Sequence, residues 1–116
     1  MSSYLLILRR DQTRDLGLPM EEMFTRFKDF TLSLQQRGAL KAFERLKPGA
    51  EGTTVRSRNG SATIEGPYDG SGESVIGFYL VDAGDEAGAQ AMAKDCPILH
   101  VGGSVEVRET EFFPKQ

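Results

Sequence analysis

The apolar positions of this chain form two continuous segments and several periodic ones. Ser3 to Arg9 and Ser74 to Asp82 are apolar at nearly every position, which predicts two central strands with both faces buried. Pro19 and the two acids near it suit a helix start, and apolar residues then recur at helical spacing down to Gly38. The first third of the chain therefore predicts a strand followed by a helix.

A turn signal in the middle of the chain predicts a hairpin. Asn59-Gly60 stands between Val55 and Ile64, and this dipeptide is typical of a two-residue type I′ turn, which needs positive φ at both central positions. The segment from Thr53 to Ile64 is therefore predicted to form two short strands. A glycine-rich loop from Gly66 to Gly72 is expected to follow.

The remaining segments complete the order of elements. Ala39 to Leu46 predicts a strand or an irregular extended segment. Asp85 suits the N-cap of a helix over Glu86 to Lys94, which Cys96-Pro97 ends. Ser104 to Phe112 alternates between apolar and charged residues, as a half-exposed strand does.

This order of elements predicts an α+β fold, with a ferredoxin-like split βαβ sheet and two helices on one face. Two helices cover only one side of a sheet, yet both central strands are apolar on both sides. The other face therefore needs a second apolar surface. A second copy of the chain, packed sheet to sheet, would supply it, so the pattern predicts an isologous homodimer.

Composition and charge restrict the class of protein. With 116 residues, 39% of them hydrophobic, and a net charge of -3, one domain over residues 1–116 is expected. The lone Cys96 fits a reducing compartment. The excess of 17 acids over 14 scattered Lys and Arg argues against nucleic acid as a partner. The apolar run from Tyr4 to Leu8 is too short for a signal peptide or a membrane span, so a cytoplasmic protein without membrane contact is expected.

The end of the hairpin carries the main candidate chemistry. The candidate residues there are Glu65, Gly66, Pro67, Tyr68 and Asp69, with Glu73 at the start of the next strand. Two carboxylates at one end of a sheet could divide acid and base roles, because a shared site separates their pKa values. Solvated loop acids are the alternative. Tyr68 is either a hydrogen-bonding group for a substrate or an aromatic residue at the rim.

His100 is the single imidazole and a candidate for proton transfer near neutral pH. It stands in a connection beside two glycines, so an exposed histidine without a chemical role is the alternative. One histidine and one cysteine are too few for zinc, which takes three or four protein ligands. No metal and no cofactor are therefore predicted.

Arginines on the predicted strands are candidates for ligand binding. Arg56 and Arg108 could hold a carboxylate or phosphate through paired hydrogen bonds, and Arg9 lies on another strand. The favoured alternative is a cross-strand ion pair with Glu65, Glu73 or Glu106.

A series of short motifs, kept in order along nearly the whole chain, resembles a known family. The motifs are Leu46-x-Pro48, Thr53-Thr54-Val55-Arg56, Asn59-Gly60, Glu65-Gly66-Pro67-Tyr68, Glu73, Gly77-Phe78-Tyr79, Cys96-Pro97 and Val105-Glu106-Val107-Arg108. The pattern is similar to the YCII-related family, in its branch named for an Asp-Gly-Pro-Phe motif. This resemblance implies a dimeric α/β barrel of the α+β class and a largely unassigned function. Some branches are thought to be enzymes that use a histidine and aspartate pair, and this branch is often encoded near extracytoplasmic-function sigma factors.

The chain departs from the branch at several motif positions. Glu65 replaces the motif aspartate, Tyr68 replaces the phenylalanine, and Gly70 and Gly72 stand where the branch usually has Glu and Lys. The first helix has no histidine, so the proposed catalytic pair does not transfer.

Two hypotheses follow from the residues and the resemblance. One is a small-molecule site beside the Gly-Pro loop, a candidate general acid/base site with Glu65 or Glu73 as base. The other is a non-enzymatic regulatory or interaction module linked to a sigma factor.

Overall fold

The computed structural model describes residues 2–68 and 72–111. The strands are β1 (Ser2–Asp11), β2 (Leu40–Arg45), β3 (Thr54–Arg58), β4 (Ser61–Glu65), β5 (Glu73–Ala83) and β6 (Ser104–Glu109), and the helices are α1 (Met20–Gln36) and α2 (Glu86–Lys94). Short 3-10 helices span Gly49–Glu51 and Pro97–Val101. The predicted order of strands and helices is confirmed. Asp69 and Gly70 of the glycine-rich loop, and Phe112 of the predicted last strand, lie outside the described residues.

Four strands form the main sheet, in the order β2-β5-β1-β6. All neighbouring strands are antiparallel, with Leu6 opposite Tyr79 on β5 and opposite Val107 on β6. Strand β5 lies between β1 and β2, so the unit β1-α1-β2 is split by a strand from later in the chain. This is the ferredoxin-like α+β arrangement that the sequence predicted.

Local signals in the sequence set the ends of α1. Pro19 precedes the helix, and Glu21 and Glu22 lie in its first turn, where carboxylates favour the positive end of the helix dipole. At the other end Gly38 has φ of +69°. Because Gly38 adopts this left-handed conformation, the Ala39 N–H donates a hydrogen bond to the Leu34 carbonyl at 3.0 Å. This bond caps the carboxyl end of the helix.

Helix α2 begins at an N-cap and packs close to the sheet. The Asp85 carboxylate accepts a hydrogen bond from the Gly88 N–H at 2.8 Å. Ala89 and Ala93 are its buried residues, and their small side chains allow a close approach. The 3-10 helix Pro97–Val101 follows, which the sequence pattern did not predict, and it adds Ile98 to the core.

The core lies between the two helices and one face of the sheet. From β1 it takes the even residues Tyr4, Leu6 and Leu8, because successive strand residues point to opposite faces. From α1, Phe30 meets the ring of Tyr79 edge to face, with 5.2 Å between ring centroids. Among the described residues, the buried core therefore lies on the helical side of the sheet.

Arg10 lies on the same buried face, at the end of β1, and is 8% exposed. Its guanidinium donates to three backbone carbonyls: Nε to Val101 at 2.9 Å, and NH2 to Arg14 at 3.1 Å and to Asp15 at 2.7 Å. Because these bonds join β1, the loop after it and the second 3-10 helix, Arg10 holds three segments together. No pattern in the sequence indicated this role of Arg10.

The opposite face of the sheet carries a second apolar set. Leu5 pairs with Leu80, and Ile7 pairs with Phe78, on the side away from the helices. All four side chains are only partly buried. Directly opposed residues share a face, so they form a contiguous apolar patch that the helices do not cover. The homodimer that this patch suggested stays a prediction.

Strands β3 and β4 form a separate two-stranded sheet. Asn59 and Gly60 have φ of 52° and 82°, as the predicted type I′ turn requires. On one face of the hairpin, Val55 stands opposite Ile64, and these side chains are 67% and 79% exposed. The other face is polar and carries most of the candidate site.

Candidate functional site

The polar face of the β3–β4 hairpin brings together residues from both strands. The register pairs Thr54 with Glu65, and Arg56 with Thr63. Arg58 lies on the same face as these residues, because alternate residues of a strand share a face. The turn at Asn59-Gly60 fixes this register, so the local sequence alone gathers these side chains.

Glu65 is the centre of this group. The Arg58 Nε donates to Glu65 Oε2 at 2.6 Å, and the Arg56 Nε donates to Oε1 at 3.1 Å. The Thr63 hydroxyl lies 3.4 Å from Oε2 and 3.3 Å from the Arg56 carbonyl oxygen. Both carboxylate oxygens of Glu65 are therefore engaged by cations.

These contacts set the protonation state of Glu65. The hydrogen bond from Arg58 is the largest cause of a pKa below the usual value for glutamate. Partial burial acts in the opposite direction, and the charge and hydrogen bond of Arg56 then lower the pKa further. Glu65 is therefore a stable carboxylate at neutral pH, which does not suit a general acid.

Tyr68, which lies in the loop after β4, is the last member of this group. Its ring lies 5.2 Å from Cζ of Arg56, and 77% of the residue is exposed. This geometry is a cation–π contact. Gly66 and Pro67, which lead the chain from Glu65 to Tyr68, are exposed. We call Arg56, Arg58, Glu65 and Tyr68 the hairpin cluster.

The hairpin cluster has an excess of positive charge. Two guanidinium groups share one carboxylate, and each uses its Nε for that contact. Among residues 2–68 and 72–111, neither guanidinium has a second ion-pair partner. Since an arginine presents five N–H donors, most of their donors are available to another acceptor. An anionic group is the acceptor that fits this charge.

Glu73 lies at the start of β5, and no hydrogen bond or ion pair among the described residues joins it to the hairpin cluster. It stands directly opposite Asp11, the last residue of β1, and accepts a hydrogen bond from the Ser104 hydroxyl at 3.3 Å. Hydrogen bonds from Thr13 lower the pKa of Asp11. The sequence analysis expected Glu65 and Glu73 together at one end of a sheet, whereas the carboxylate that stands opposite Glu73 is that of Asp11, which the sequence analysis missed.

His100 lies in the 3-10 helix beside α1, on the helical side of the sheet. It is exposed and borders an open groove of about 480 Å³, whose lining includes Arg26, Asp29 and Asp95. No hydrogen bond or ion pair among the described residues joins His100 to the hairpin cluster. The catalytic role of His100 stays a prediction, and it would belong to this groove and not to the hairpin cluster.

Arg108 lies on the sheet face away from the helices and pairs with Glu106 at 3.4 Å. Arg9 binds the same glutamate more closely, at 2.6 Å. The hydrogen bond from Arg9 is the largest cause of the lowered pKa of Glu106. The favoured alternative, a cross-strand ion pair with a glutamate, is therefore seen for Arg9 and Arg56. The pair of Arg108 with Glu106 lies within β6 and does not cross between strands.

A family model of the YCII-related domain matches residues 4–113, which is nearly the whole chain. The chain belongs to the YCII-related family. A comparison with curated proteins found no match. The Asp-Gly-Pro-Phe branch stays a prediction for this YCII-related protein.

Two further observations on this YCII-related protein concern metal ligands and the length of its helices. No three His, Cys, Asp or Glu side chains among residues 2–68 and 72–111 are grouped to hold a metal ion. In the same part of the chain, no helix has the length and apolar character needed to cross a membrane.

Sequence reasoning missed Arg58 and Thr63 as parts of the site. The sequence did contain the information needed to find them. A two-residue turn at Asn59-Gly60 determines which residues of β3 and β4 stand opposite each other. Counting outward from the turn puts Arg58, Thr63 and Glu65 on the same face.

Proposed function

We propose that this YCII-related protein binds a small molecule with an anionic group at the hairpin cluster. The observation that carries the proposal is the arrangement of Arg56 and Arg58 around the single carboxylate of Glu65. An arginine fork matches a carboxylate or phosphate with two parallel hydrogen bonds. A ligand anion would neutralise the remaining positive charge.

Each residue of the hairpin cluster has a role in this proposal. Glu65 holds Arg56 and Arg58 on one face of the hairpin, which reduces the side-chain entropy lost when a ligand binds. The exposed ring of Tyr68 offers a flat surface to an apolar part of the ligand. Gly66 and Pro67 join Tyr68 to Glu65, and the fixed φ of proline restricts that connection.

A general acid/base reaction is the more specific form of the hypothesis. Glu65, with its lowered pKa, would act as a proton acceptor and not as a proton donor. Glu73 and His100 belong to other elements, and Arg108 lies on the sheet face. We therefore propose binding at the hairpin cluster without assigning a reaction.

The proposal includes a homodimer and a cytoplasmic location. The patch of Leu5, Ile7, Phe78 and Leu80 supports a dimer packed sheet to sheet, because burying apolar surface drives association. The single buried thiol of Cys96 supports a reducing compartment.

The experiment is a thermal-shift screen of small carboxylates and phosphates on the wild-type protein and on two variants. Arg56→Gln with Arg58→Gln removes the guanidiniums, and Arg26→Gln is the control, since Arg26 pairs with Glu22 on the surface of α1. A ligand that binds only the folded protein raises the melting temperature. We expect a shift for the wild type and the control that the double variant loses. Equal shifts in all three proteins would refute the site.

A second candidate is a non-enzymatic regulatory or interaction module, linked to sigma-factor-dependent transcription as the family resemblance implies. What favours it is the exposed pair of Val55 and Ile64 on the other face of the hairpin. Its test is capture of a partner by the wild-type protein and by Val55→Lys with Ile64→Lys. The interaction module would be favoured by two results together. The variant would no longer capture a partner that the wild type captures, and the thermal-shift screen would find no carboxylate or phosphate that binds.

A further inference from the structure

The carboxylate of Glu65 lies close to any anion that binds the arginines of the hairpin cluster. Arg56 and Arg58 each contact this carboxylate through Nε, at 3.1 Å and 2.6 Å. The N–H donors of a guanidinium lie in one plane, on three nitrogens bonded to one carbon. An anion on the remaining donors therefore lies about 4–6 Å from Glu65, which is the range over which two like charges disfavour each other.

The remaining donors of both arginines are open to solvent. The side chains of Arg56 and Arg58 are 40% and 60% exposed, and that of Glu65 is 32% exposed. The Cζ atom of Arg56 lies over the ring of Tyr68 at 5.2 Å, a contact that uses no hydrogen-bond donor. An anion can thus reach both guanidiniums while Glu65 stays in place.

This face of the hairpin carries one net positive charge. Two guanidiniums and one carboxylate contribute to it, and Glu65 keeps its charge at neutral pH because the hydrogen bond from Arg58 lowers its pKa. The uncharged residues of the face are Thr54, Ser61 and Thr63. A ligand with one negative charge neutralises the site, whereas a ligand with two negative charges leaves one in excess.

We propose that Glu65 makes the hairpin cluster selective for monoanionic carboxylates over dianions such as phosphate monoesters. This inference rests on the anion site proposed above and names its ligand class. Attraction to the site grows in proportion to the ligand charge, while the cost of taking an ion out of water grows with the square of its charge. Because Glu65 cancels the charge of one arginine, the second charge of a dianion loses more hydration than it gains in attraction.

The charge of Glu65 can be separated from its structural contact with the arginines. Loss of order in the arginines would weaken the binding of every anion by a similar factor. Repulsion by Glu65 is proportional to the ligand charge, so its removal changes the binding free energy of a dianion twice as much as that of a monoanion. The ratio of the two affinities therefore reports the effect of the charge.

The first test measures the affinities of benzoate and phenyl phosphate at a pH of about 8 by ligand-detected NMR titration. Both probes have a flat ring, and phenyl phosphate is a dianion under these conditions because the second pKa of a phosphate monoester is about 6. Glu65→Gln is compared with the wild type and with Glu22→Gln as the control. Glu22 pairs with Arg26 on α1, so the control removes the same charge from an arginine pair elsewhere.

We expect the wild type and Glu22→Gln to bind benzoate more tightly than phenyl phosphate. In Glu65→Gln, the ratio of the affinities should shift towards phenyl phosphate by about five- to tenfold. An unchanged ratio in Glu65→Gln, an equal shift in Glu22→Gln, or a wild-type preference for phenyl phosphate would overturn the selectivity and leave the anion site standing. Benzoate binding that survives Arg56→Gln with Arg58→Gln would refute the anion site itself.

A second test uses the wild-type protein alone, so it does not depend on how a variant folds. Carbon-13 NMR of the Glu65 carboxyl gives its titration midpoint with and without saturating benzenesulfonate, which stays a monoanion throughout. A bound anion beside Glu65 disfavours its ionised form, so we expect the midpoint to rise. Asp11, whose pKa is lowered by hydrogen bonds from Thr13, is the control and should keep its midpoint. An unchanged midpoint for Glu65, or an equal rise for Asp11, would overturn the proposal.

Discussion

Arg58 and Glu65 are joined across the hairpin by a hydrogen bond of 2.6 Å between Nε and Oε2. This bond is diagonal, since Arg58 pairs with Ser61 and Glu65 pairs with Thr54 in the strand register. It exists because a two-residue turn puts alternate residues of both strands on one face. The charge state of Glu65 and the geometry of the proposed site both depend on it.

The first prediction concerns the titration of Glu65. Its pKa in the folded protein lies below the ordinary value of 4.5. The ion pairs therefore stabilise the hairpin above the unfolded-state pKa, and this contribution disappears as the pH falls through the folded-state pKa. Carbon-13 NMR of the Glu65 carboxyl should give a midpoint below 4.5. Arg58→Gln should raise that midpoint, and an unchanged midpoint would mean that the bond is not formed in solution.

Arg10 carries the second prediction. Replacement by methionine keeps much of the side-chain volume but leaves the Val101, Arg14 and Asp15 carbonyls without their donor. We expect a loss of about 2–3 kcal/mol in the free energy of unfolding, since hydrogen bonds to charged groups are strong and unpaired buried acceptors are unfavourable. Urea denaturation measures it. Arg26→Met on the surface of α1 is the control, and an equal effect of both changes would contradict the role of Arg10.

Cys96 gives the third prediction. Burial raises the pKa of its thiol from 9.0 to about 11, with a backbone hydrogen bond acting in the opposite direction. The neutral thiol is therefore favoured by folding, and this contribution is complete below 9.0 and lost as the pH rises towards 11. At pH near 8, a thiol reagent should label the native protein far more slowly than the urea-unfolded protein. Equal labelling rates for the native and the unfolded protein would contradict this prediction, because they would show that the structure around Cys96 opens readily.

The sheet face carries the fourth prediction. Phe78→Glu places a charge in the patch formed with Leu5, Ile7 and Leu80, so it should dissociate a sheet-to-sheet dimer. Sedimentation at several concentrations would measure the change in mass. Leu32→Glu is the matched control, because Leu32 is an exposed apolar residue of α1. A wild-type protein that is monomeric at all concentrations would contradict the dimer.

Most of the fold was predictable from local signals in the sequence. The dipeptide Asn59-Gly60 predicted the turn, Gly38 predicted the end of α1, and Asp85 predicted the start of α2. Each of these acts through backbone conformation or a hydrogen bond within a few residues. The 3-10 helix Pro97–Val101 was missed because one short turn has no repeating apolar pattern to indicate it.

The candidate site was predictable only where it is local. Glu65, Arg56 and Tyr68 come together because one hairpin and its loop hold all three. Among the described residues, no hydrogen bond or ion pair joins Glu73 or His100 to these three residues. The places of Glu73 and His100 depend on how β5 and the second 3-10 helix pack in three dimensions. The pairing of Glu73 with Asp11 joins residues that are far apart in the chain. Spacing in the sequence could not give that pairing without the strand register.

The most direct measurement of the proposed function is an NMR titration of the arginine Nε–H resonances with benzoate, an aromatic carboxylate. The probe has the anionic group for Arg56 and Arg58 and the flat ring for Tyr68. We predict saturable shifts of the Arg56 and Arg58 resonances, with Arg9 and Arg26 unchanged. Shifts of similar size at all four arginines, or none at Arg56 and Arg58, would contradict an anion site at the hairpin cluster.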